Sequence, residues 1–391
     1  MNKDLPDDWK YLPLSDFVIE YRGGAALRPS DFNYRGFPVI PKKAVQLGGK
    51  IVLGNELTYC HNEFAEENSS HIVDSRYIIS TLRDLVPSGP SIGLVGVLEE
   101  PGEFLLAQGV YGFLLNQDLD KSFFAHISNT DWYRKLMQKI MVGSTQVHIR
   151  TTEFLQINLS IPPLIEQKKI AEILSTIEQE RITLKTHKQK LINLKSGLFD
   201  LLFNPEIIKK NNLSKNSIVS FKNARFKDLV ILKRGVDLPI QNRNKGNIPV
   251  IGSNGITSYH NQSTQDHPGI VTGRSGSIGK VYLSEEPFWA LNTTLYSEKL
   301  FDNDIRYIYY FLQWFNLERF STGTGVPTLN RNNLHVQKIL IPPISYQKSC
   351  AWILSNLDNH IFKLKEKISK LDILKKAIAS DLLSGRKRVN I

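Results

Sequence analysis

A glycine-rich run in the second half of the chain, Gly273-Arg274-Ser275-Gly276-Ser277-Ile278-Gly279-Lys280, has the composition of a phosphate-binding loop. Its spacing excludes the nucleotide-binding motif, because Arg274 stands six positions before Lys280, where that motif needs glycine. Val281 also occupies the place of the Ser or Thr that would bind magnesium. A turn carrying Arg, Ser and Lys could instead bring backbone amides to a DNA phosphate. A tight hairpin turn explains each glycine at least as well.

Polar and basic residues suited to base and phosphate contact recur near the ends of predicted elements in both halves of the chain. Arginine reads guanine, and Asn or Gln reads adenine, by bidentate hydrogen bonds in the major groove. Any one of these residues is more often a plain surface side chain, so only their recurrence at equivalent loop positions makes them candidates. The candidates are Lys42, Lys43, Gln146, His148 and Arg150 in the first half, and Ser253, Asn254, Arg274, Ser277, Lys280, Asn330 and Arg331 in the second.

The sequence offers no candidate catalytic site. The carboxylates show no paired acid/base spacing, and no Ser/His/Asp order can be assembled. Asn204-Pro205 is followed by Glu206-Ile207, so the Asn-Pro-Pro-aromatic signature of adenine methyltransferases is absent, as is a glycine-rich loop for S-adenosylmethionine. Cys60 and Cys350 fit no metal spacing, and so few cysteines indicate a reducing cytoplasm.

The elements that position the candidates are repeated along the chain. Ile161-Pro162-Pro163 and Ile341-Pro342-Pro343 lie 180 positions apart, and each precedes a long helical pattern. Since proline lacks a donor and disfavours a helical residue before it, each helix must begin after its Pro-Pro pair.

Both helical patterns carry heptads. The a positions are Ile170, Ile177, Leu184, Leu191 and Leu198 in the first copy, and Cys350, Leu357, Leu364, Leu371 and Ile378 in the second. The d positions are Ile173, Leu194 and Leu201, and Ile353 and Leu374, with polar Glu180, His187, His360 and Lys367 near the middle. Heptads of this length predict two coiled-coil helices, with Cys350 as a small buried hydrophobe.

The segments before the two helices also resemble each other. Leu14-Ser15-Asp16-Phe17 matches Phe226-Lys227-Asp228-Leu229 at an offset of 212, and Gly36–Ile40 answers Asn247–Ile251. Further matches are Pro90–Gly93 with Gly276–Gly279, the aromatic helices Trp132–Met141 and Arg306–Phe320, and Gly143–Arg150 with Gly323–Arg331. Each segment is predicted to be mixed α and β, with short strands and one or two helices.

Charge is distributed unevenly between these segments. The 391 residues have a net charge of +11, which suggests a polyanionic partner. The first 155 residues carry 15 Lys and Arg against 19 Asp and Glu, whereas residues 212–340 carry 15 against 9. If the first segment binds nucleic acid, it must do so through a local patch. The sequence shows no long apolar run and no signal peptide, so we expect a soluble, cytoplasmic protein.

Short motifs mark the order of these elements along the chain. The motifs are Leu5-Pro6-Asp7-Asp8-Trp9, Asp31-Phe32 before Pro38-Val39-Ile40, Gly143-Ser144, Ile161-Pro162-Pro163-Leu164-Ile165-Glu166-Gln167, Leu194-Lys195-Ser196-Gly197-Leu198 and Asp381-Leu382-Leu383-Ser384-Gly385. No single motif is specific, but their order, spacing and duplication are. In this arrangement the chain resembles the specificity subunit of a type I restriction-modification enzyme.

The resemblance implies an α+β fold with two similar target-recognition domains, each followed by a long helix, and the two helices forming an antiparallel coiled coil with pseudo-two-fold symmetry. The expected domains are residues 1–160 and 223–340, the helices 161–203 and 341–385, with a linker at 204–222 and a basic tail at 386–391. Each domain would read one half of a bipartite, asymmetric DNA target, and the helices would set the spacing of the half-sites.

The resemblance also implies partners. Two methyltransferase subunits would use S-adenosylmethionine, and restriction subunits would use ATP and Mg²⁺, while this chain would be non-catalytic and bind no cofactor. Glu166, Gln167 and Gln347 are the expected subunit-interface residues. The second copy departs from the pattern because Tyr346 replaces Glu166. Two alternatives remain: a DNA-modifying or cleaving enzyme with its own catalytic site, similar to type IIG enzymes, and a coiled-coil adaptor without a DNA role.

Overall fold

The computed structural model describes residues 5–54, 57–210, 221–323 and 327–390. The chain forms two compact units, residues 1–184 with 367–391, and residues 185–366. Each unit combines strands and helices around its own hydrophobic core. The α+β class predicted from the sequence is therefore confirmed.

The first unit contains thirteen strands among its described residues. They are β1 (Lys10–Pro13), β2 (Val18–Gly23), β3 (Phe32–Asn33), β4 (Phe37–Ile40), β5 (Thr58–Cys60), β6 (Ile72–Val73), β7 (Tyr77–Thr81), β8 (Arg83–Asp84), β9 (Val95–Val97), β10 (Phe104–Leu106), β11 (Val110–Leu115), β12 (Val147–His148) and β13 (Asn158–Ile161). The helices of this part of the chain are α1 (Asn62–Glu67), α2 (Lys121–Ser128), α3 (Asp131–Ile140), α4 (Thr151–Leu155) and α5 (Leu164–Phe203), of which α5 continues beyond Leu184 into the second unit.

These strands form two main sheets. One is antiparallel with the order β2-β11-β7-β9, and the other has the order β3-β5-β4-β10-β6, in which β4 and β10 run parallel. Strand β1 pairs with β13, so the start of the chain lies beside the strand that leads into α5. Strand β8 pairs with β12.

The second unit is built from the elements that follow. They are α6 (Pro205–Lys210), β14 (Lys222–Arg225), α7 (Phe226–Leu229), β15 (Ile231–Arg234), β16 (Ile248–Gly252), β17 (Gly255–His260), β18 (Gly269–Gly273), β19 (Val281–Ser284), β20 (Trp289–Ala290), β21 (Thr294–Lys299), α8 (Ile305–Trp314), β22 (Ser321–Thr322), β23 (Thr328–Leu329), α9 (Arg331–His335), β24 (Lys338–Ile341) and α10 (Ile344–Leu382).

The sheets of the second unit repeat those of the first. The order β15-β21-β18-β19 corresponds to β2-β11-β7-β9, β14 pairs with β24 as β1 does with β13, and β16 pairs in parallel with β20 as β4 does with β10. Gly24 and Gly235 occupy equivalent positions at which two backbone segments pass close together. An added Cβ would lie 1.9 Å from the Ala107 carbonyl oxygen at Gly24 and 2.1 Å from the Leu291 carbonyl oxygen at Gly235.

One correspondence read from the sequence is wrong. Helix α8 packs beside β19, and the helix that packs beside the equivalent strand β9 is α2, not α3. Both α2 and α8 begin after an Asp N-cap, Asp120 or Asp304, whose side chain accepts a backbone hydrogen bond. The sequence predicts α3 as the counterpart of α8 because both are rich in aromatic residues and because α3 precedes Gly143 as α8 precedes Gly323.

The two predicted long helices are present, and α5 and α10 pack against each other. Ile161 and Ile341 are the last residues of β13 and β24, so the helices begin only after the Pro-Pro pairs. In the first unit Glu178 contacts Lys375 and Arg181 contacts Asp372, whereas in the second Lys195 contacts Asp358. Residues later in α5 therefore contact residues earlier in α10, so the two helices pack antiparallel.

The packing face of these helices differs from the predicted one. The a positions face inward, since Ile170 and Leu184 are buried, but the predicted d residues Leu194 (51% exposed) and Leu201 (37% exposed) do not. The d-position polar residues Glu180, His187, His360 and Lys367 are exposed as well, as is Leu374. The inward positions lie four residues after each a residue and include Leu174, Arg181 and Lys195 on α5, and Leu354, Ile368, Lys375 and Leu382 on α10. The inward face of each helix therefore combines the a and e positions of the heptad. This face is wider than an a/d seam because each helix packs against the core of a unit as well as against the other helix.

Both long helices contribute residues to each of the two hydrophobic cores. Ile170 and Leu174 of α5 and Leu382 of α10 join the core of the first unit. Phe203 of α5, with Cys350 and Leu354 of α10, joins the aromatic core of the second. Cys350 is 1% exposed and burial raises the pKa of its thiol to about 12, so it is the buried small hydrophobe that its helix position predicted.

Parts of the predicted linker and of one repeat lie outside the described residues. Within the linker, Asn204 accepts a hydrogen bond from the Glu206 amide and Pro205 is the first residue of the short helix α6. Residues 211–220 of the linker lie outside the described ranges, as do residues 324–326 in the match to Gly143–Arg150.

Candidate nucleic-acid interface

A basic cleft of about 490 Å³ lies in the second unit beside the end of β15. Lys233 and Arg234 end β15, Arg274 directly follows β18, and Arg331 is the first residue of α9. Leu295 of β21 pairs with both Arg234 and Thr272, which brings the end of β15 close to the residues after β18. The remaining lining residues are Leu295, Thr322, Thr328, Leu329 and Asn330.

The positive charge of this cleft is mostly unneutralised. Among the described residues, the side chains of Arg234, Arg274 and Arg331 have no hydrogen-bond or ion-pair partner. Partial burial, together with the positive charge of Arg234, lowers the pKa of Arg274. Lys233 differs because it donates to Glu298 at 2.7 Å, and this bond raises its pKa. Three unpaired guanidinium groups around one cavity favour binding of an anion.

The glycine-rich run forms the hairpin loop beside this cleft. It joins the antiparallel strands β18 and β19, with Gly276 and Gly279 in left-handed conformations at φ 78° and 85°. The predicted hairpin turn is therefore present, and the run is not a nucleotide-binding loop, which would lead from a strand into a helix. Lys280 Nζ donates to Asn254 Oδ1 at 3.2 Å, and a Cβ at Gly276 would lie 3.5 Å from Ser253 Oγ.

The structure thus gathers the candidates of the second half into two neighbouring groups. Arg274, Asn330 and Arg331 line the cleft. Ser253, Asn254 and Lys280 meet at the hairpin that carries the half-buried Ser277. Asn330 caps α9 by accepting from the Asn332 amide, so its amide group is left to donate.

In the first unit, Gln146, His148 and Arg150 are exposed and alternate with the buried residues Val147 and Ile149, in and beside the short strand β12. Gln146 Oε1 accepts from Arg83 Nη2 at 2.8 Å, and His148 pairs with Arg83 in the β8–β12 ladder. The three candidates and Arg83 form a polar edge.

Lys42 lies near the same ladder. Burial opposes ionisation of Asp84, but hydrogen bonds from Ser91 and the Val86 amide, together with the charge of Lys42, lower the pKa of that carboxyl group. Lys42 is half-buried in the 3₁₀ turn Lys42–Ala44, whereas Lys43 is exposed. Asp84 pairs with Val147, so Lys42 stands near the polar edge that carries Gln146 and His148.

Sequence reasoning missed three basic residues of these surfaces. Lys233 and Arg234 precede Gly235, the counterpart of Gly24, so they correspond to Arg22 and Gly23 of the first unit, and no motif marks them. Arg83 belongs to no motif. At this strand end of the first unit, Arg22 bonds to Glu20 at 3.1 Å and donates to the Ile72 carbonyl at 2.5 Å, as its counterpart Lys233 bonds to Glu298. Gly23 stands where the second unit has Arg234, so the first unit has no arginine at that position.

The predicted interface glutamines are buried at the starts of the long helices. Gln167 Nε2 donates to the carbonyls of Asp118 and Pro162, and its Oε1 accepts from the Asp120 amide. Gln167 is 1% exposed and Gln347 2% exposed. Side chains so buried cannot contact a partner in this conformation, so their effect on an interface would be indirect.

Glu166 is also fully buried, and it binds the end of the chain. It accepts from Trp9 Nε1 at 3.2 Å and from two nitrogens of Arg388 at 2.7 Å each, while Arg388 also binds Asp8. In the second unit the equivalent residue Tyr346 donates to the Leu202 carbonyl near the end of α5. The start of each long helix is thus bonded to the end of the other half's helical segment, Tyr346 to Leu202 within α5 and Glu166 to Arg388 in the tail that follows α10.

Among the described residues no three His, Cys, Asp or Glu side chains are grouped to hold a metal ion. No helix in that part of the chain is long and apolar enough to cross a membrane.

An α+β unit that is present twice, each copy followed by a long helix, is the architecture expected of a DNA-specificity protein. The pattern of the family described as "Type I restriction modification DNA specificity domain" matches residues 6–194 and 208–371. The chain belongs to this family, and the resemblance inferred from its motifs is confirmed.

Individual relatives agree. The chain is 24% identical over 423 positions to the putative type I restriction enzyme MjaX specificity subunit of Methanocaldococcus jannaschii, covering 99% of this chain and 95% of the relative. It is also 24% identical over 210 residues to the MjaVIII specificity subunit of that organism; this match covers 53% of the chain and spans about half of the relative, 48%.

Solved structures share the fold. The S subunit of a type I restriction-modification system from M. genitalium superposes with a TM-score of 0.67 at 15% identity, covering 100% of this chain and 98% of that one. A structure described as showing complex assembly and conformational transition of the type I R-M system gives 0.54 at 14% identity, covering 98% and 100%.

Proposed function

We propose that this chain is the DNA-recognition subunit of a type I restriction-modification complex and that each unit reads one half of a bipartite, asymmetric target. The observation that carries the proposal is one fold present twice with different exposed side chains at equivalent positions. Arg150 and Asn330 illustrate this, because they precede α4 and α9 as the two N-cap residues. Different side chains on one scaffold read different bases.

The basic cleft supports DNA contact by the second unit. Arg234, Arg274 and Arg331 offer guanidinium groups with no partner among the described residues, and guanidinium binds both phosphate oxygens and the guanine edge. The first unit would use the polar edge of Arg83, Gln146 and His148, with Lys42, Lys43 and Arg150 nearby. Its binding would depend less on charge, since the first 155 residues carry more acidic than basic side chains.

The helices α5 and α10 would set the distance between the half-sites and dock two methyltransferase subunits. In this arrangement S-adenosylmethionine belongs to those subunits, and ATP and Mg²⁺ to restriction subunits that join them in the cytoplasm. The chain itself would be non-catalytic. Buried Glu166, Gln167 and Gln347 would support docking by fixing the starts of both helices, not by touching the partner.

The test is co-expression of this chain with a cognate methyltransferase subunit in a host that lacks N6-methyladenine, followed by mapping of that base across the DNA. We expect one split motif that requires both proteins. Arg274→Ala and Arg331→Ala should reduce methylation. Arg306→Ala is the matched control, because Arg306 is exposed but paired with Glu285. A folded complex that methylates nothing, or an unsplit motif, would contradict the proposal.

A further inference from the structure

Two lysine–carboxylate pairs cross from one long helix to the other. In the first unit Lys375 Nζ lies 2.6 Å from Glu178 Oε2, and the Glu178 side chain is only 4% exposed. In the second unit Lys195 Nζ lies 2.6 Å from Asp358 Oδ1, and the Lys195 side chain is 18% exposed. Both pairs thus stand at least partly inside seams that are otherwise largely apolar.

The two pairs are the same contact repeated. Asp358 lies 180 positions after Glu178, and Lys375 lies 180 positions after Lys195, the offset that relates the two helices. The carboxylate comes from α5 in one unit and from α10 in the other. Each carboxylate has a second donor, because Arg181 binds Glu178 at 2.6 Å and the Tyr310 hydroxyl donates to Asp358 at 2.9 Å.

Apolar residues alone do not specify how these helices pack. Over both helices the two possible seams are of similar apolarity. The apolar residues are Ile173, Leu194, Leu201, Ile353 and Leu374 at the d positions, and Leu174, Leu202, Leu354, Ile361, Ile368 and Leu382 at the inward positions. Leu194 and Leu201 are nevertheless exposed, while Lys195 is largely covered. Pairing of charges accounts for this choice, since a covered charge needs a partner and an exposed leucine does not.

The pairs also distinguish the observed register from a shift of one helical turn. A shift of four residues would place Glu178 opposite Leu371 or Ala379 in place of Lys375. The same shift would place Asp358 opposite Leu191 or Phe199 in place of Lys195. Either movement takes the lysine away from each carboxylate and leaves Glu178 with Arg181, and Asp358 with the Tyr310 hydroxyl, as the remaining donors. The loss is unfavourable above all at Glu178, whose side chain is only 4% exposed.

We propose that Glu178 with Lys375, and Lys195 with Asp358, fix the register of α5 against α10 and thereby set the number of base pairs between the two half-sites. The second part rests on the proposed function, whereas the first concerns only the chain itself. Polar residues in helical seams specify register in the same way elsewhere. The four residues act as positioning residues and need not touch DNA.

An exposed ion pair provides a reporter of the register. Lys367 Nζ lies 3.1 Å from Glu180 Oε1, and both side chains are about half exposed. A carbodiimide joins such a lysine to such a carboxylate without a spacer, and peptide mass spectrometry identifies the link. A shift of about one turn would join Glu180 to Lys363 or Lys370 instead. The full chain can be used without added labels.

The main variant replaces both pairs by apolar residues, with Glu178→Leu, Lys375→Met, Lys195→Met and Asp358→Leu. Arg181 keeps Asp372 as an ion-pair partner at 3.6 Å, and apolar residues can replace covered ion pairs without loss of stability. The variant should therefore unfold at no lower temperature than the wild type. We expect links from Glu180 to Lys363 or Lys370 in addition to Lys367, and methylated motifs with more than one spacing. Lys50→Met with Glu99→Leu, an exposed pair away from both helices, is the control and should change neither result.

If the fourfold variant does not fold, two charge variants test the inference instead. Lys195→Glu places two carboxylates together and should move the cross-link of Glu180 from Lys367 to Lys363 or Lys370. Lys195→Glu with Asp358→Lys exchanges the two charges and should restore the cross-link to Lys367 alone. If the fourfold variant, or Lys195→Glu in its place, keeps only the wild-type link, the apolar shape sets the register and the inference is wrong. Shifted links with no methylation by the wild-type complex would refute the proposed function and leave the register assignment intact.

Discussion

Gln167 and Gln347 make equivalent hydrogen bonds in the two units. Each donates through Nε2 to the carbonyl of the first residue of a Pro-Pro pair, Pro162 or Pro342, at 2.9 Å. Each accepts through Oε1 from the amide of the Asp that caps α2 or α8, at 2.8 and 2.9 Å. The repeated glutamine of the sequence motif therefore joins the long helix to the recognition unit.

Replacing Gln167 by Ala should destabilise the first unit by about 1–3 kcal/mol, because the buried Asp120 amide and two carbonyls lose their partner. Gln347→Ala should affect the second unit in the same way. Hydrogen exchange of α2 and α8 would assign each loss to its unit. Gln189→Ala, which removes an exposed bond to Asn193 only, is the control. Equal exchange in all three variants would refute the role of these glutamines.

Replacing Arg274 or Arg331 by Ala should weaken DNA binding in a salt-dependent manner. If the arginine contacts a phosphate, the slope of log K against log salt should become shallower by about 0.9, and every sequence should be affected alike. If it reads a guanine, discrimination at one base pair should fall by about 1–3 kcal/mol instead. Titration of labelled duplexes at several salt concentrations separates these cases. Normal binding by both variants would show that the cleft is not the reading surface.

Acid should destabilise the first unit through His126. Burial, and then the charge of Lys375, lower the pKa of His126 to about 4, and its Nε2 lies 2.8 Å from Ser175 Oγ. In the unfolded chain His126 is protonated below about pH 6.5, whereas in the folded unit it stays neutral down to about pH 4. Its contribution to the free energy of unfolding is therefore complete above pH 6.5 and is lost as the pH falls towards 4. The loss is about 3 kcal/mol. Denaturant titrations across this range should show a smaller pH dependence for His126→Gln, and an unchanged dependence would contradict the assignment.

Leucine truncation should distinguish the inward positions of the long helices from the outward ones. Leu184 is 8% exposed, so Leu184→Ala should cost about 2–3 kcal/mol and weaken assembly with the methyltransferase. Leu364→Ala should act in the same direction but less strongly, because Leu364 is half-buried. Leu194→Ala is the matched control at 51% exposure and should cost less than 1 kcal/mol, about the effect of a surface change. Urea unfolding measures all three, and an equal cost at Leu184 and Leu194 would favour the a/d seam.

Replacing Arg388 by Met should lower the melting temperature of the first unit. The change leaves the fully buried Glu166 carboxylate without its charged partner and only the Trp9 indole as a donor. Adding Glu166→Gln should recover part of the loss, since an amide oxygen can still accept from Trp9. Arg386→Met in the same tail changes an exposed pair with Asp381 and should have little effect. Trp9 fluorescence reports the local change, and equal melting of both single variants would exclude this role for Arg388.

The sequence by itself determined the repeat, the α+β class, the two long helices and the family. These features are local or periodic: Pro162-Pro163 and Pro342-Pro343 stop one element and start the next, and a residues seven apart keep one helix face apolar. The burial of Cys350 also followed from its helix position. None of these conclusions requires knowledge of which distant residues meet.

Only the tertiary structure established the features that depend on contacts between residues far apart in the chain. The sequence could not show that the end of β15 adjoins the residues after β18, because β21 brings them together, and so Arg234 was missed. It could not choose between two seams of similar apolarity, because the choice depends on Lys195 meeting Asp358 across the helices. It could not reveal that Gln167 and Gln347 are buried, since burial depends on the loops that cover them. Periodicity is a property of one segment, whereas a charge pair or a cleft is a property of several.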